Sequence, residues 1–149
     1  MTTEEKYEVL KTLAGAAIER LKELPQPVVR VCGPLTSKTS PGFSYEQNLK
    51  RFLCAQAALQ DKGLTIFDYF EGNHDESQIQ PLGLPWEEVM LYYHRPIMES
   101  GWLKVAYFMP YWQESSGARF EREECSRLGI TIEELPETWL AIKEGPSET

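Results

Sequence analysis

The sequence predicts one three-layer α/β domain, with a mostly parallel sheet of four or five strands, helices on both faces and an amphipathic helix in front. Two observations carry that prediction. Short apolar runs rich in β-branched and aromatic residues alternate with stretches of helical periodicity. The chain has 149 residues and 42% hydrophobic content, enough for about one domain that buries a full core without disulfide or metal staples.

Each element has a local reason. Thr2 and Glu5 stand at capping-box spacing, and Leu10, Leu13, Ala14, Ala17, Leu21 and Leu24 fall on one side of the helix that follows. This N-terminal helix, residues 1–25, can cover the sheet or make an oligomer contact, and Pro25 and Pro27 end it. VVRVC at Val28 to Cys32 is the first strand, and Gly33 and Pro34 turn out of it. Ser44 and Gln47 form a second capping box for a helix running to Lys62, with Leu49, Phe52, Leu53 and Leu59 inward and Gly63 as its stop.

LTIFDYF at Leu64 to Phe70 is the second strand and its exit. Glu71 to Leu84 then has the most irregular composition in the chain and reads as a long loop, with His74 and Asp75 solvated. Pro85 opens a helix carrying Trp86, Val89, Met90 and Tyr93 on one face, and Pro96 should kink or stop it. WLKVAYFMP at Trp102 to Pro110 is a buried parallel strand. A helix follows from Ser115 or Ser116 to a cap at Gly129, and Ile130 to Ile132 adds a short last strand. A short helical stretch around Glu137 to Lys143 and a polar tail complete the chain, so that residues 28–132 form the core and 133–149 an extension.

Composition narrows the function classes. A formal net charge of −8 argues against a nucleic-acid polymer as partner, which calls for a basic face, while a small anion needs only local donors. Cys32, Cys54 and Cys125 are far apart and odd in number, and the two histidines have no ligand-like spacing, so neither a disulfide framework nor a metal site is expected. No stretch reaches the ~18 apolar residues of a membrane span, and no secretory leader is evident. The expectation is a cytoplasmic protein without cofactor or membrane association.

The most informative segment is YWQESSGARFE, from Tyr111 to Glu121, which carries a strand across a small-residue turn into a helix. In open α/β sheets ligands sit beyond the carboxyl ends of strands, and a helix N-terminus there offers amide donors to anions. Ala118, Glu121, Cys125 and Leu128 share the stripe that must face the core, so a carboxylate stands where an apolar residue is expected. Spacing alone leaves two readings open: Glu121 is a site carboxylate, or it lies at the edge of the stripe and pairs with Arg119 or Arg122.

GPLTS at Gly33 to Ser37, together with PYWQESSGARFEREECSRLGI at Pro110 to Ile130, resembles the nucleoside 2-deoxyribosyltransferase-like superfamily, which includes nucleotide N-glycoside hydrolases. The family pattern S-x-G-x-x-x-E is met by Ser115, Gly117 and Glu121, after a strand and opening a helix. The resemblance implies a flavodoxin-like or Rossmann-like sheet and double displacement at an anomeric carbon, with Glu121 as nucleophile. It implies that Ser115, with Ser116 beside it, holds a 5′-hydroxyl or 5′-phosphate, and that Gly117 lets backbone approach the sugar. The loop carrying Gly33, Thr36, Ser37 and Lys38 would border the pocket, and Asp68, Tyr69 and His74 can line it from the second strand. The partner implied is a small nucleoside or nucleotide, bound by a homodimer or larger homo-oligomer.

Two positions depart from the family pattern. Pro96 stands where relatives carry an acid that serves the leaving base, and Lys104 stands where they carry an aspartate. His94 and Glu99 are the nearby candidates for that proton transfer, although His94 reads more simply as a satisfied or surface histidine and Glu99 as a solvated helix end. A nucleotide binder without catalysis, and an acidic interaction module on the same fold, are the alternative functions.

Overall fold

Both capping boxes form. In this computed structural model, which describes residues 1–34, 44–67 and 74–140, the Thr2 hydroxyl accepts from the Glu5 amide and the Ser44 hydroxyl from the Gln47 amide. They start α1 (Thr3–Glu23) and α2 (Tyr45–Asp61). Leu10, Leu13, Ala14, Ala17 and Leu21 of α1 are buried, as their spacing requires.

The strands are β1 (Val28–Cys32), β2 (Thr65–Ile66), β3 (Leu103–Phe108) and β4 (Thr131–Glu134). All pairings are parallel and the order is β2-β1-β3-β4, so the described sheet is four-stranded. The Phe67 amide extends the pairing of β2 by one bond, to the Val29 carbonyl at 2.9 Å. The chain steps outward from β1 to β2 and then returns to lay β3 on the other side of β1. The carboxyl ends of β1 and β3 therefore flank the point where the strand order reverses, which is where such sheets form a ligand crevice.

Successive residues of β1 point to opposite faces. Val28 and Cys32 join one core with the leucines of α1, with Tyr93, Ile97 and Met98, and with Cys125 of α6 (Ser116–Leu128). Val31 joins a second core with Phe52, Ala55 and Leu59 of α2 and with Leu140. Helices thus cover both faces, and α1 belongs to the cover on the first.

Several local expectations are corrected. The 71–84 stretch contains α3 (His74–Ile79) and a 3-10 turn over Gln80–Leu82, and Asp75 is only 2% exposed rather than solvated. Leu53 is 40% exposed, because the buried stripe of α2 runs through Asn48, Arg51, Phe52, Ala55, Gln56 and Leu59 and includes three polar side chains. Trp86 is exposed although Met90 and Tyr93 are buried. Pro96 neither stops nor breaks its helix: α4 (Trp86–Val89) continues through a π turn, Met90–His94, into α5 (Arg95–Glu99). Proline lacks the amide that would bond four residues back and its ring crowds that carbonyl, and the wider turn accommodates both. At the C-terminal end a 3-10 turn occupies Glu137–Leu140, and residues 141–143 lie outside the described residues.

Gly33 follows β1 at the crevice. A Cβ built there would lie 2.6 Å from Cβ and 2.7 Å from Sδ of Met109, the residue that follows β3. The first of these contacts cannot be relieved by rotating a side chain. Gly33→Ala is expected to destabilise the fold by about 1–3 kcal/mol, the range for overpacking. Urea unfolding of Gly33→Ala with and without Met109→Gly, which removes that Cβ, checks it, and an equal cost in both backgrounds would rule out this contact as the cause.

Candidate functional site

Arg30 is the centre of β1, flanked by Val28 and Val29 on one side and by Val31 and Cys32 on the other, and it is 1% exposed. Its side chain shares a sheet face with Val28 and Cys32 and reaches two neighbours. Its Nη2 lies 2.7 Å from Oε2 of Glu121, which projects from the second turn of α6. The same nitrogen is 3.0 Å from Nδ1 of His94, at the end of the π turn. The Oε2 contact is an ion pair off the N–H axis, since Oε2 is fully buried and accepts no aligned hydrogen bond. The Cys32 thiol lies close enough to the same carboxylate to influence its ionisation.

These contacts fix the protonation states. A guanidinium has donors only, so Nδ1 of His94 must accept and the ring proton sits on Nε2. Burial, and then the positive charge of Arg30, hold His94 well below the usual imidazole range, so it is neutral at pH 7. Burial raises the Glu121 carboxyl above the usual range, and Arg30 and the Cys32 thiol pull it part of the way back. Cys32 is pushed well up by burial and then by Glu121, which keeps it a thiol.

A second polar group adjoins the first. Tyr93, stacked edge-on against His94 with ring centroids 4.8 Å apart, donates its hydroxyl to Asp75 Oδ2 at 2.6 Å. Arg20 of α1 donates to the same oxygen at 2.7 Å. On the far side of the crevice, Tyr111 has φ 69°, a left-handed conformation that is strained for a bulky residue and costs about 1–3 kcal/mol. From there a 3-10 turn, Trp112–Glu114, leads to Ser115, whose hydroxyl caps α6 by accepting from the Ala118 amide at 3.2 Å.

The structure brings Glu121, His94 and Ser115 to the reversal point as buried side chains, and Gly33 borders it. Ser116 is exposed and its hydroxyl accepts from Arg119. Among the described residues, a Cβ at Gly117 would meet only the Ser115 hydroxyl, at 3.9 Å. Thr36, Ser37, Lys38, Asp68 and Tyr69 lie outside the described residues, as does the side chain of His74. Glu121 pairs with neither Arg119, which donates to the Gln113 carbonyl, nor Arg122, which pairs with Glu134. Glu99 is exposed and pairs with Arg127, and Lys104 donates to the Gly101 carbonyl at the amino end of β3, away from the crevice.

Sequence reasoning undervalued Arg30 and passed over Cys32, Tyr93 and Asp75 as site residues. Arg30 had a readable signal, a charge inside an apolar strand of a sheet covered on both faces. Among the described residues no group of three or more His, Cys, Asp or Glu side chains could hold a metal ion, and no helix is long and apolar enough to cross a membrane.

Comparisons with protein-family models, curated proteins and solved structures found no match to this chain.

The two shifted groups make stability depend on pH in opposite senses. His94 is depressed in the fold, so its contribution is full above the unfolded value near about 6.5 and is lost as pH falls through the folded value. Glu121 is raised, so its contribution is full below the usual glutamate range and is lost as pH rises through the folded value. Unfolding measured from about pH 7.5 to 5.5 should show the His94 part as a loss of up to about 1.4 kcal/mol per pH unit relative to His94→Asn. Parallel curves for the two proteins would show that His94 is not held neutral.

Proposed function

We propose that the protein is an N-glycoside hydrolase or transferase acting on a small nucleoside or nucleotide, with Glu121 as the nucleophile. One observation carries the reading: a carboxylate buried at the reversal point of a parallel sheet and set against a fully buried arginine. Structural pairs of that kind are costly, and apolar residues fill such positions equally well, so a retained pair points to use of the charge.

The chemistry needs few groups. A Glu121 oxygen forms a bond to C1′ while the C1′–N bond breaks, its electron pair leaving with the base, which takes a proton from water. The hydroxide equivalent then attacks C1′, and the ester electron pair returns to Glu121; attack by a second base instead gives transfer. Ser115 accepts from the Ala118 amide and has its own O–H to offer a 5′-oxygen, and the open space at Gly117 suits a sugar lying close to backbone. Neutral His94 can donate through Nε2 to a leaving base as a hydrogen-bond donor, but not as an imidazolium acid.

The same protonation state favours a second reading, a nucleotide binder without turnover. Pro96 and Lys104 replace the family acids, Lys104 faces solvent, and neutral His94 is no substitute acid. That reading keeps the crevice and dispenses with the displacement.

The test is base release from ribo- and deoxyribonucleosides and their 5′-monophosphates, followed by chromatography. Wild-type protein should release one base class, and Glu121→Gln should keep its fold at a cost of about 3–5 kcal/mol and lose at least about a thousandfold in kcat, as expected when a nucleophile is removed. Full activity in Glu121→Gln would eliminate Glu121 as nucleophile, and a stabilising ligand without release would select the binder.

A further inference from the structure

We infer that Arg30 is the positioning residue of this site: its guanidinium, oriented by Nδ1 of His94, pins Oε2 of Glu121 and leaves Oε1 as the oxygen that attacks. The inference rests on the proposed reaction and adds a residue, and an atom assignment, that the family pattern S-x-G-x-x-x-E does not contain.

The geometry is specific. One nitrogen of Arg30 bridges His94 Nδ1 at 3.0 Å and Glu121 Oε2 at 2.7 Å, tying β1, the π turn and α6 together at one point. Oε2 is fully buried against the guanidinium and is committed to it. Among the described residues, the charged and titratable groups facing Glu121 are Arg30 and Cys32 from β1 and Cys125 one turn further along α6, with His94 acting through Arg30. Of these only Arg30 carries a positive charge, because Cys32 and Cys125 are held as thiols, Cys125 being pushed up to about 12, and His94 is neutral. Arg30 therefore opposes the effect of burial and favours the charged form of the Glu121 carboxyl.

The pairing also bears on the second half of the reaction. When an oxygen of Glu121 bonds to C1′ the side chain loses its charge, and Arg30 loses Glu121 as counter-ion inside the core. That raises the ester relative to the free carboxylate and favours its breakdown. No co-reactant beyond water or a second base is required.

The experiment compares wild type, Arg30→Met, Arg30→Lys and Glu121→Gln, using the nucleoside panel and, independently of turnover, a carboxyl-carbon NMR titration of Glu121. In Arg30→Met the Glu121 midpoint and the acid limb of kcat/KM should both move up by about 1–3 pH units, and kcat at pH 7 should fall at least tenfold with KM nearly unchanged. Arg30→Lys keeps the charge without the fork, and should restore the titration midpoint while recovering kcat only in part. It also keeps the test valid if the methionine variant does not fold. Glu121-dependent release in which neither substitution moves the acid limb or the midpoint would overturn this inference and leave the N-glycosyl reading standing. No Glu121-dependent release from any panel member would overturn that reading, and Arg30's catalytic purpose with it, even if the midpoint moves.

Discussion

The ion pair between Arg30 and Glu121 is the constraint around which this side of the sheet is organised. Arg30 is placed in the middle of a strand buried along its whole length, where the net cost of desolvating an ion is several kcal/mol even after relaxation. A compensating charge must come from whatever packs over β1, and Glu121 reaches it only if α6 crosses at one fixed height. The guanidinium also needs an acceptor, which fixes the rotation of the 86–99 helix so that His94 points inward. Three elements are thus located by one side chain. Hydrophobic contact alone is non-directional and would tolerate sliding of these helices.

Such an arrangement is weak evidence of stability for its own sake. Buried pairs exchanged for well-packed apolar residues are often as stable or more so, whereas removing one partner costs about 3–5 kcal/mol. Tyr93, Asp75 and Arg20 extend the same logic outward from His94 to the edge of α1, where Arg20 is half exposed and lies beside water. The polar chain therefore runs from Arg30 to the surface, which holds the His94 ring in place without charging it.

What the sequence made legible was what local rules determine. Both capping boxes, all four strands and the stripe of Ala118, Glu121 and Cys125 follow from periodicity and from Ser or Thr at the right offset, and the structure shows each. The failures have a common origin in tertiary partners. Asp75 reads as a loop acid until Arg20 and Tyr93, 55 and 18 residues away, supply its hydrogen bonds. The inward face of α2 was misplaced at Leu53 because Asn48, Arg51 and Gln56 take buried positions that a hydrophobicity pattern assigns to leucine. Pro96 read as a break because sequence does not announce a π turn. For the site, Glu121 was visible as a polar residue on an apolar stripe. Arg30 was signalled only as a charge inside an apolar strand, and nothing in the spacing joins it to Glu121 in preference to Arg119 or Arg122, which lie only two and one positions from Glu121 in sequence.

The two sides of the crevice are built to different tolerances, and the difference bears on what the site is for. On the β1 side Gly33 is demanded by the protein itself, since Met109 occupies the space a side chain would need. On the β3 side Gly117 has no such neighbour, and Tyr111 holds a left-handed backbone that a glycine would adopt without strain. A fold selected only for stability would reverse the last two choices, placing glycine at 111 and a better helix former at 117. Strain is thus retained at one residue and, among the described residues, space at another, on either side of a capped helix start.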